Sequence, residues 1–596
     1  MSGEINILEG TIMSTMTAGE VAGKTGASEL VRSLDWKGAF WVAAGVPPLV
    51  LFSIGGIAGV AGKLAFLVWI LSMIMGFLQS FTYAEIAGMF ANKSGGASVY
   101  GATAWLRYSK LIAPLSVWCN WFAWSPVLSL GCSIAALYIL NMVAPIPGFT
   151  ETSAQVVAWL ADAAHAGKTP ADAIAAVTAA ATPGIRTWSL LSFAIPGIAS
   201  FNINATFVIG TILMLIIFAI QHRGILGAAS VQKWLAIIVL VPLLLIGLIP
   251  IFNGSVNYTN FAPLVPPSNV YVTTDGIWNN GGWTLFLAGM FIAAWSTYGF
   301  ETAVCYTREL KDPARDTFKA IFFSGLLCIV FFVLVPFTFQ GVLGLGGMLA
   351  TPIVDGSGVA EALGSMAGGN VLITQIFVIL MIFALFLAIM TAMAGSSRTL
   401  YQGSKDGWLP RYLTQTNAHG APTRAMLTDL VFNLILLAIV SDAGGYFFVL
   451  AVSNVGYIIF NFLNLNAGWI HRMDSGNIER PWKAPSGLIA LNTVFAFANV
   501  LFMGAGAKVW QAVGAKVDAP SPLWAGLVFA ALIIPVFCYR HYMQDGGKFP
   551  AGALEDIGLK DGDMGQKKAG MLPYLALVTA ALLMFWANWY FQLPVA

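Results

Sequence analysis

Charge is what this sequence has least of: Asp, Glu, Lys and Arg together make up 9% of its 596 residues, against roughly 25% in a soluble domain. With 58% hydrophobic residues, a water-soluble fold would expose apolar surface on every side, so a chain that lives in lipid is indicated. The net charge of +2 is too small for an electrostatic nucleic-acid interface, and no nucleic-acid partner is expected. Histidine is scarce too: His165, His222, His419, His471 and His541 lie far apart, in loops or near helix ends, which argues against a metal site or haem ligation. Cys119, Cys132, Cys305, Cys328 and Cys538 fall within apolar segments at spacings that match no metal or redox motif, and they read as buried packing residues. Neither a metal nor a cofactor is expected, and no constellation of catalytic groups is found. The first 36 residues lack the basic and then apolar pattern of a signal peptide, which places the N-terminus in the cytoplasm.

One motif imitates a site. Ala18-Gly19-Glu20-Val21-Ala22-Gly23-Lys24-Thr25 resembles a phosphate-binding loop, but a working loop joins a strand to a helix so that its amides converge on phosphate. Here a polar tail precedes it and an apolar helix follows, so no nucleotide site is expected.

Long apolar runs are what the sequence has in quantity. A bilayer crossing takes about 20 apolar residues, and thirteen stretches qualify: 38–60, 64–91, 112–142, 203–221, 231–252, 283–306, 318–342, 371–399, 425–441, 444–470, 486–508, 521–541 and 571–592. Threading them with the N-terminus inside puts 24 of the 29 Lys and Arg residues in cytoplasmic connections, leaving only Lys63, Lys168, Arg186, Lys508 and Lys516 elsewhere. That bias fits the positive-inside rule and places the C-terminus outside a cytoplasmic, inner membrane. One external connection, 143–202, is long and Ala-rich. Within it Gly167-Lys168-Thr169-Pro170 predicts a break between two short helices, with Thr169 as N-cap and Pro170 at the first helical position.

Ionisable residues inside spans are costly and are functional candidates by default. Glu301 in the sixth span is the clearest, and Glu85 in the second lies nearer the cytoplasmic end, where it also reads as a pin for the helix terminus. The first and sixth spans share a further oddity. Gly45-Val46-Pro47-Pro48-Leu49 interrupts the first, and each proline there removes an amide donor at a cost of about 3 kcal/mol. Trp295-Ser296-Thr297-Tyr298-Gly299-Phe300 precedes Glu301 in the sixth. Two interrupted helices offset by five spans match a transporter built of inverted repeats, in which unpaired backbone at mid-membrane lines a substrate cavity.

At these residues the sequence resembles the amino acid/polyamine/organocation (APC) superfamily of permeases, over about residues 34–542. Tyr83-Ala84-Glu85-Ile86-Ala87 with Ser94-Gly95-Gly96-Ala97-Ser98-Val99-Tyr100 resembles the end of that family's second helix and its Gly-Gly loop. Trp295 to Glu301 with Glu309-Leu310-Lys311-Asp312-Pro313-Ala314-Arg315-Asp316 is similar to the broken sixth helix and its exit. Gly395-Ser396-Ser397-Arg398 to Lys405-Asp406-Gly407-Trp408-Leu409-Pro410 resembles the end of the eighth helix, and Gln221-His222-Arg223-Gly224 with Val231-Gln232 the turn between the fourth and fifth.

The resemblance implies an all-α integral membrane protein with a five-plus-five inverted-repeat core, discontinuous helices 1 and 6, and 12–13 transmembrane helices. On this reading 1–36 is a cytoplasmic tail, 37–252 the first repeat, 283–471 the second, 486–542 two peripheral helices, 543–570 a linker and 571–596 an extra C-terminal helix. It implies alternating-access transport of amino acids or related organic amines, coupled to protons or sodium or run as exchange, with Val46, Pro47, Pro48, Leu49, Asn120, Trp121, Trp295, Ser296, Tyr298 and Gly299 at the substrate. Glu301 and Glu85 are implied for proton coupling or gating, and Ser396 and Ser397 for a sodium site, with no carboxylate evident beside them. Self-association is compatible with all of this. The pattern departs from the family at Pro47, which stands where amino acid permeases carry a glycine whose amide meets the substrate carboxylate. Either a shifted set of amides at Val46, Leu49 and Val50 serves instead, or the substrate is an amine without a nearby acid. A subunit of a multi-subunit proton-translocating complex is the alternative, but such a pump needs an intramembrane relay of Lys, Glu and His that this chain lacks.

Overall fold

A computed structural model describes residues 30–591 except 31, 149–150, 196–198, 267–275, 355, 367, 369, 442, 515–520 and 551–566. The phosphate-loop look-alike, nearly all of the N-terminal tail and most of the 543–570 linker lie outside the described residues.

The first two apolar runs fold as α1 (Trp36–Ala43), a three-residue 3₁₀ turn at Pro47–Leu49, α2 (Val50–Ala61) and α3 (Ala65–Met89). From Trp36 to Met89 is 54 residues, about 80 Å if straight at 1.5 Å per residue, far more than a bilayer's ~30 Å. Gly62, at φ +54°, separates α2 from α3 with a backbone geometry that residues bearing a Cβ avoid. There follow α4 (Ala97–Trp105), α5 (Ile112–Trp124), α6 (Val127–Val143), α7 (Ala205–Gln221), α8 (Ile225–Phe252), α9 (Asn280–Thr297), a 3₁₀ segment at Gly299–Glu309, and α10 (Pro313–Met348). The main helices that follow are α11 (Val371–Lys405), α12 (Thr423–Val440), α13 (Ala443–Asp474), α14 (Ser486–Gly506), α15 (Pro522–Ala531) and α16 (Leu572–Tyr590), with short helical turns between some of them.

Among the described residues 11 helical segments are long and apolar enough to cross a membrane. The double-length first segment and the shorter α7 account for the difference from the thirteen expected stretches. The expected 112–142 span is bent at Ser125-Pro126, between α5 and α6, because Pro126 has no amide to continue the ladder. Helix starts follow local chemistry: Asn204, Asn279, Asp312 and Asn370 each accept a backbone N–H of the first turn through the side chain.

The long connection holds the two expected helices, Ala154–Ala161 and Pro170–Ala181. Thr169 caps the second: Asp172 N donates to its hydroxyl at 3.2 Å, and Thr169 N donates to the Asp172 carboxylate at 2.8 Å. Not expected was an antiparallel hairpin, Ser189–Ile195 with Ala199–Asn204, that pairs Phe193 with Phe201 and leads straight into α7. An apolar crevice of about 350 Å³ between α5, α13, α14, α15 and α16 is lined by residues such as Leu115, Phe462, Met503 and Met584, none of them from the interrupted helices.

Candidate functional site

Both interruptions are real breaks in the backbone. In the first, Val46 N donates to Ala43 O (3.1 Å) and Leu49 N to Val46 O (2.9 Å), three-residue steps in place of the four-residue steps of an α-helix. Val50 N reaches Pro47 O and Pro48 O. Pro47 and Pro48 have no amide to give, so the local turns consume the donors that remain nearby. In the second, α9 ends at Thr297 and the chain leaves as a 3₁₀ segment from Gly299.

The two breaks touch. Ser53 Oγ and Ser296 Oγ lie 2.7 Å apart, and Ser296 Oγ is 3.4 Å from Leu49 O. A Cβ at Gly299 would fall 3.1 Å from Val46 Cγ1, 3.2 Å from Leu49 Cδ1 and 2.7 Å from Trp124 Cη2. Glycine there lets the second break lie directly on the first. Gly45 serves the same purpose toward α11: a Cβ would come within 2.3 Å of Leu387 O. Val42 O, freed at the end of α1, accepts from Thr391 Oγ1 (2.6 Å) and from Gln232 Nε2 of α8 (3.2 Å). Thr391 was not foreseen, and Gln232 was singled out only as part of the motif after the fourth span, not as a partner for a carbonyl 190 residues away.

The other expected residues divide into those that join this apposition and those that do not. Trp295 does: its ring centroid is 5.8 Å from that of Phe52, and its Nε1 donates to Ala123 O (3.2 Å). Glu301 is fully buried, and its Oε1 accepts from Trp124 Nε1 at 3.0 Å while Oε2 has no hydrogen-bond partner. Asn120 stands beside it and accepts from Thr399 Oγ1 (3.0 Å). Tyr298 points away toward α3 and α14, where its hydroxyl donates to Asn499 Oδ1 (3.1 Å) in a buried amide network with Asn461, Gln79 and Tyr83. Trp121 also points away, stacking near Phe432 and Phe529.

Trp121 leads to a residue that the sequence reading missed. Its Nε1 donates to Asp429 Oδ1 (2.5 Å), which also accepts from Ser125 Oγ (2.8 Å), while Asp429 Oδ2 accepts from Ser396 Oγ (2.5 Å). The expectation that no carboxylate stands beside Ser396 is corrected by this contact. The signal was a lone acid in Leu427-Thr428-Asp429-Leu430-Val431, overlooked because it lies close to a helix start. Ser397 Oγ donates to Met393 O at 2.7 Å, within its own helix. Neither serine hydroxyl reaches a carbonyl of the first break.

Glu85 is held as a pin: Arg472 donates to both its oxygens (2.9 and 2.6 Å), and Arg480 (3.2 Å) and Ala484 N (2.8 Å) join. The same kind of lock closes the end of the bundle past the second break. Arg398 embraces Glu309 with two donors, Lys93 pairs with Asp406 at 2.8 Å, and Leu34 O accepts from Lys311 N at 2.7 Å. On the other side of the first break, Ile353 O and Val354 pack over Gly55 and Gly59 of α2. The expected substrate residues are all buried.

Comparison with known proteins agrees with this architecture. The chain is 25% identical over 338 residues to the branched-chain amino acid permease BcaP of Lactococcus lactis, covering 56% of this chain and 65% of that protein. It is 24% identical over 263 residues to the lysine-specific permease LysP of the same organism, covering 42% and 50%. An uncharacterized transporter of Legionella pneumophila matches at 24% identity over 164 residues, 26% of this chain and 32% of the relative. The matched regions thus span a third to two-thirds of these curated relatives. Residues 34–541 match the model of the amino acid permease family, and with two interrupted helices apposed inside a multi-pass helical bundle, the chain belongs to that family.

Proposed function

We propose that this protein carries out secondary active transport of amino acids or related organic amines by alternating access, with the substrate held where the two broken helices meet. The observation that carries the reading is the direct contact of the breaks through Ser53, Ser296 and Leu49, with buried Glu301 one turn beyond. Interrupted helices leave carbonyls near Ser296 that accept from an ammonium group, and the face of Trp295 attracts a cation. Repeats 37–252 and 283–471 supply one break each. The Arg398–Glu309 and Lys93–Asp406 pairs form a gate on the cytoplasmic side of the inner membrane, and the 143–202 connection covers the outside.

The amides of Val46, Leu49 and Val50 are engaged in local turns, and those of Pro47 and Pro48 do not exist. This supports recognition led by the amine, with the acid end of the substrate held less tightly. The hydroxyls of Ser396 and Ser397 turn to Asp429 and to Met393 O and not to the carbonyls of the first break, which favours proton coupling at Glu301 over a sodium ion held between those serines and that break. Glu85 serves as scaffold.

The test is uptake by proteoliposomes of leucine, lysine, isoamylamine and cadaverine, under imposed proton or sodium gradients, preceded by thermal-shift screening of the same compounds. Stabilisation and uptake by at least one of them are expected. No stabilisation and no uptake across all four would overturn the reading.

A further inference from the structure

Asp429 is completely buried, yet among the described residues no Lys, Arg or His pairs with it. The charged groups on the elements around it are all committed elsewhere. Arg424 on its own helix donates to Gln415, Arg411 pairs with Asp545, and on α11 Arg398 pairs with Glu309 while Lys405 lies over the Tyr401 ring. On α13 Arg472 pairs with Glu85, His471 Nε2 meets Tyr100 O, and Asp474 accepts from the Tyr108 hydroxyl. Its partners are three neutral donors: the Trp121 indole, the Ser125 hydroxyl and the Ser396 hydroxyl. Asn433, one turn on, steadies the group by donating to Ser125 Oγ (2.8 Å) and to Asp429 O (2.9 Å), and by accepting from Ser129 N (3.2 Å). Burying a carboxylate without a cation is costly, and an apolar residue would fill the same space at less cost unless the charge has a use.

The hydrogen bonds around Asp429 suit both of its protonation states. As a carboxylate it accepts all three donors. When a proton from water binds Oδ2, that oxygen donates to Ser396 Oγ, and the Ser396 hydroxyl turns to Met393 O, which lies 3.5 Å away. Oδ1 keeps Trp121 and Ser125 throughout. One hydroxyl rotation therefore absorbs the change, leaving no buried polar atom of the group unpaired.

Asp429 is also tied to the proposed transport site. Trp121 and Trp124 lie one turn apart on α5, and their indole nitrogens go to Asp429 and to Glu301 respectively. On α11, Ser396 reaches Asp429 while Thr399, three residues on, reaches Asn120 beside Glu301. α5 thus touches both buried acids through residues one turn apart, and α11 touches Asp429 directly and the surroundings of Glu301 through Asn120.

We propose that Asp429 is a second proton-carrying carboxylate of this transporter, linked to Glu301 through Trp121 and Trp124 of α5 and through Ser396 and Thr399 of α11. The inference rests on the transport reading above. Asp429 takes up and releases one proton per cycle, in addition to the proton on Glu301.

The test uses full-length protein in proteoliposomes, with whichever of leucine, lysine, isoamylamine or cadaverine the uptake screen returns. In Asp429→Asn, Oδ1 still accepts from Trp121 and Ser125 and Nδ2 donates to Ser396, which imitates the protonated state. Counterflow exchange at equal pH on both sides is expected to persist. Accumulation driven by a pH difference of one unit is expected to fall about tenfold, because each coupled proton multiplies the accumulation ratio by ten per pH unit. A wild-type accumulation ratio in Asp429→Asn would make Asp429 a structural pin and overturn the inference. The balance point of wild-type protein between opposed pH and substrate gradients gives an independent reading that needs no variant. Two protons per substrate are expected there, and one overturns the proposal. Absent counterflow in the wild type would instead count against the transport reading itself.

Discussion

The hydroxyl oxygens of Ser53 and Ser296 lie 2.7 Å apart although 243 residues separate them in the chain. Ser53 sits one turn past the first break and Ser296 just before the second, so this bond joins the two interrupted helices at the depth where each loses its regular ladder. Buried hydroxyls in lipid have no water to turn to, and each satisfies the other. Breaking the pair on one side is predicted to leave one orphan. Ser296→Ala is therefore expected to lower the melting temperature slightly, by about 1 kcal/mol equivalent, and to reduce uptake more than stability, as read by thermal shift beside transport assays.

Glu301 is the carboxylate nearest the apposed breaks, with one oxygen unpaired. Glu301→Gln keeps an acceptor for Trp124 Nε1 but cannot exchange a proton. Substrate-induced thermal stabilisation and counterflow are expected to survive, while accumulation driven by a pH gradient falls. Unchanged accumulation would reassign the coupling acid.

Gly299 has no room for a side chain. Adding one methyl drives it toward the Trp124 ring at 2.7 Å and toward Val46 and Leu49, and overpacking of this kind costs about 1–3 kcal/mol. Gly299→Ala is expected to fold with a lower melting temperature and to lose most uptake, because the breaks can no longer close on one another. Wild-type uptake in this variant would show that the contact is dispensable.

The Arg398–Glu309 pair is buried at both partners. Removing one partner strands a charge, at a cost of about 3–5 kcal/mol, whereas replacing both by apolar residues costs far less. Arg398→Ala is expected to be much less stable than the double variant Arg398→Met with Glu309→Leu. Equal losses in the two, measured by thermal unfolding in detergent, would mean that packing rather than charge dominates there.

The cap of the Pro170–Ala181 helix carries a pH signature outside the spans. Hydrogen bonds from the Thr169 amide and hydroxyl hold the Asp172 carboxyl below its ordinary range. A folded-state value below the unfolded one, about 3.9, means that the cap's contribution is present above that pH and is lost as pH falls through the folded value. The protection of this helix against hydrogen exchange, taken relative to the intrinsic amide exchange rate at each pH, is expected to be higher at neutral pH and to fall in acid. Asp172→Asn is expected to flatten that response.

Much of this architecture is legible in the sequence because its causes are local. Pro47 and Pro48 cannot donate, so two adjacent backbone bonds are missing from the helix that contains them, and Thr169 followed by Pro170 supplies an N-cap and a first helical residue in succession. Glu301 stands out because a carboxylate in the middle of an apolar run carries a desolvation cost that a purely structural position rarely bears. Asp429 obeys the same rule and was missed because its span is short and the acid lies near its start, where a helix end commonly faces water. The hairpin at 189–204 was hidden by the Ala-rich helical stretch beside it.

The sequence by itself determined which segments are apolar enough to cross a bilayer, where two of them break, and the family to which the chain belongs. These follow from apolar run length, missing amides and short motifs, all properties of neighbours in the chain. Only the tertiary structure decided that Trp124 serves Glu301 while Trp121, one turn away, serves Asp429, and that Gln232 and Thr391 hold the loose end of α1. Those pairings depend on how helices rotate and cross against one another, which is set by packing between residues as far as 349 positions apart, such as Val42 and Thr391.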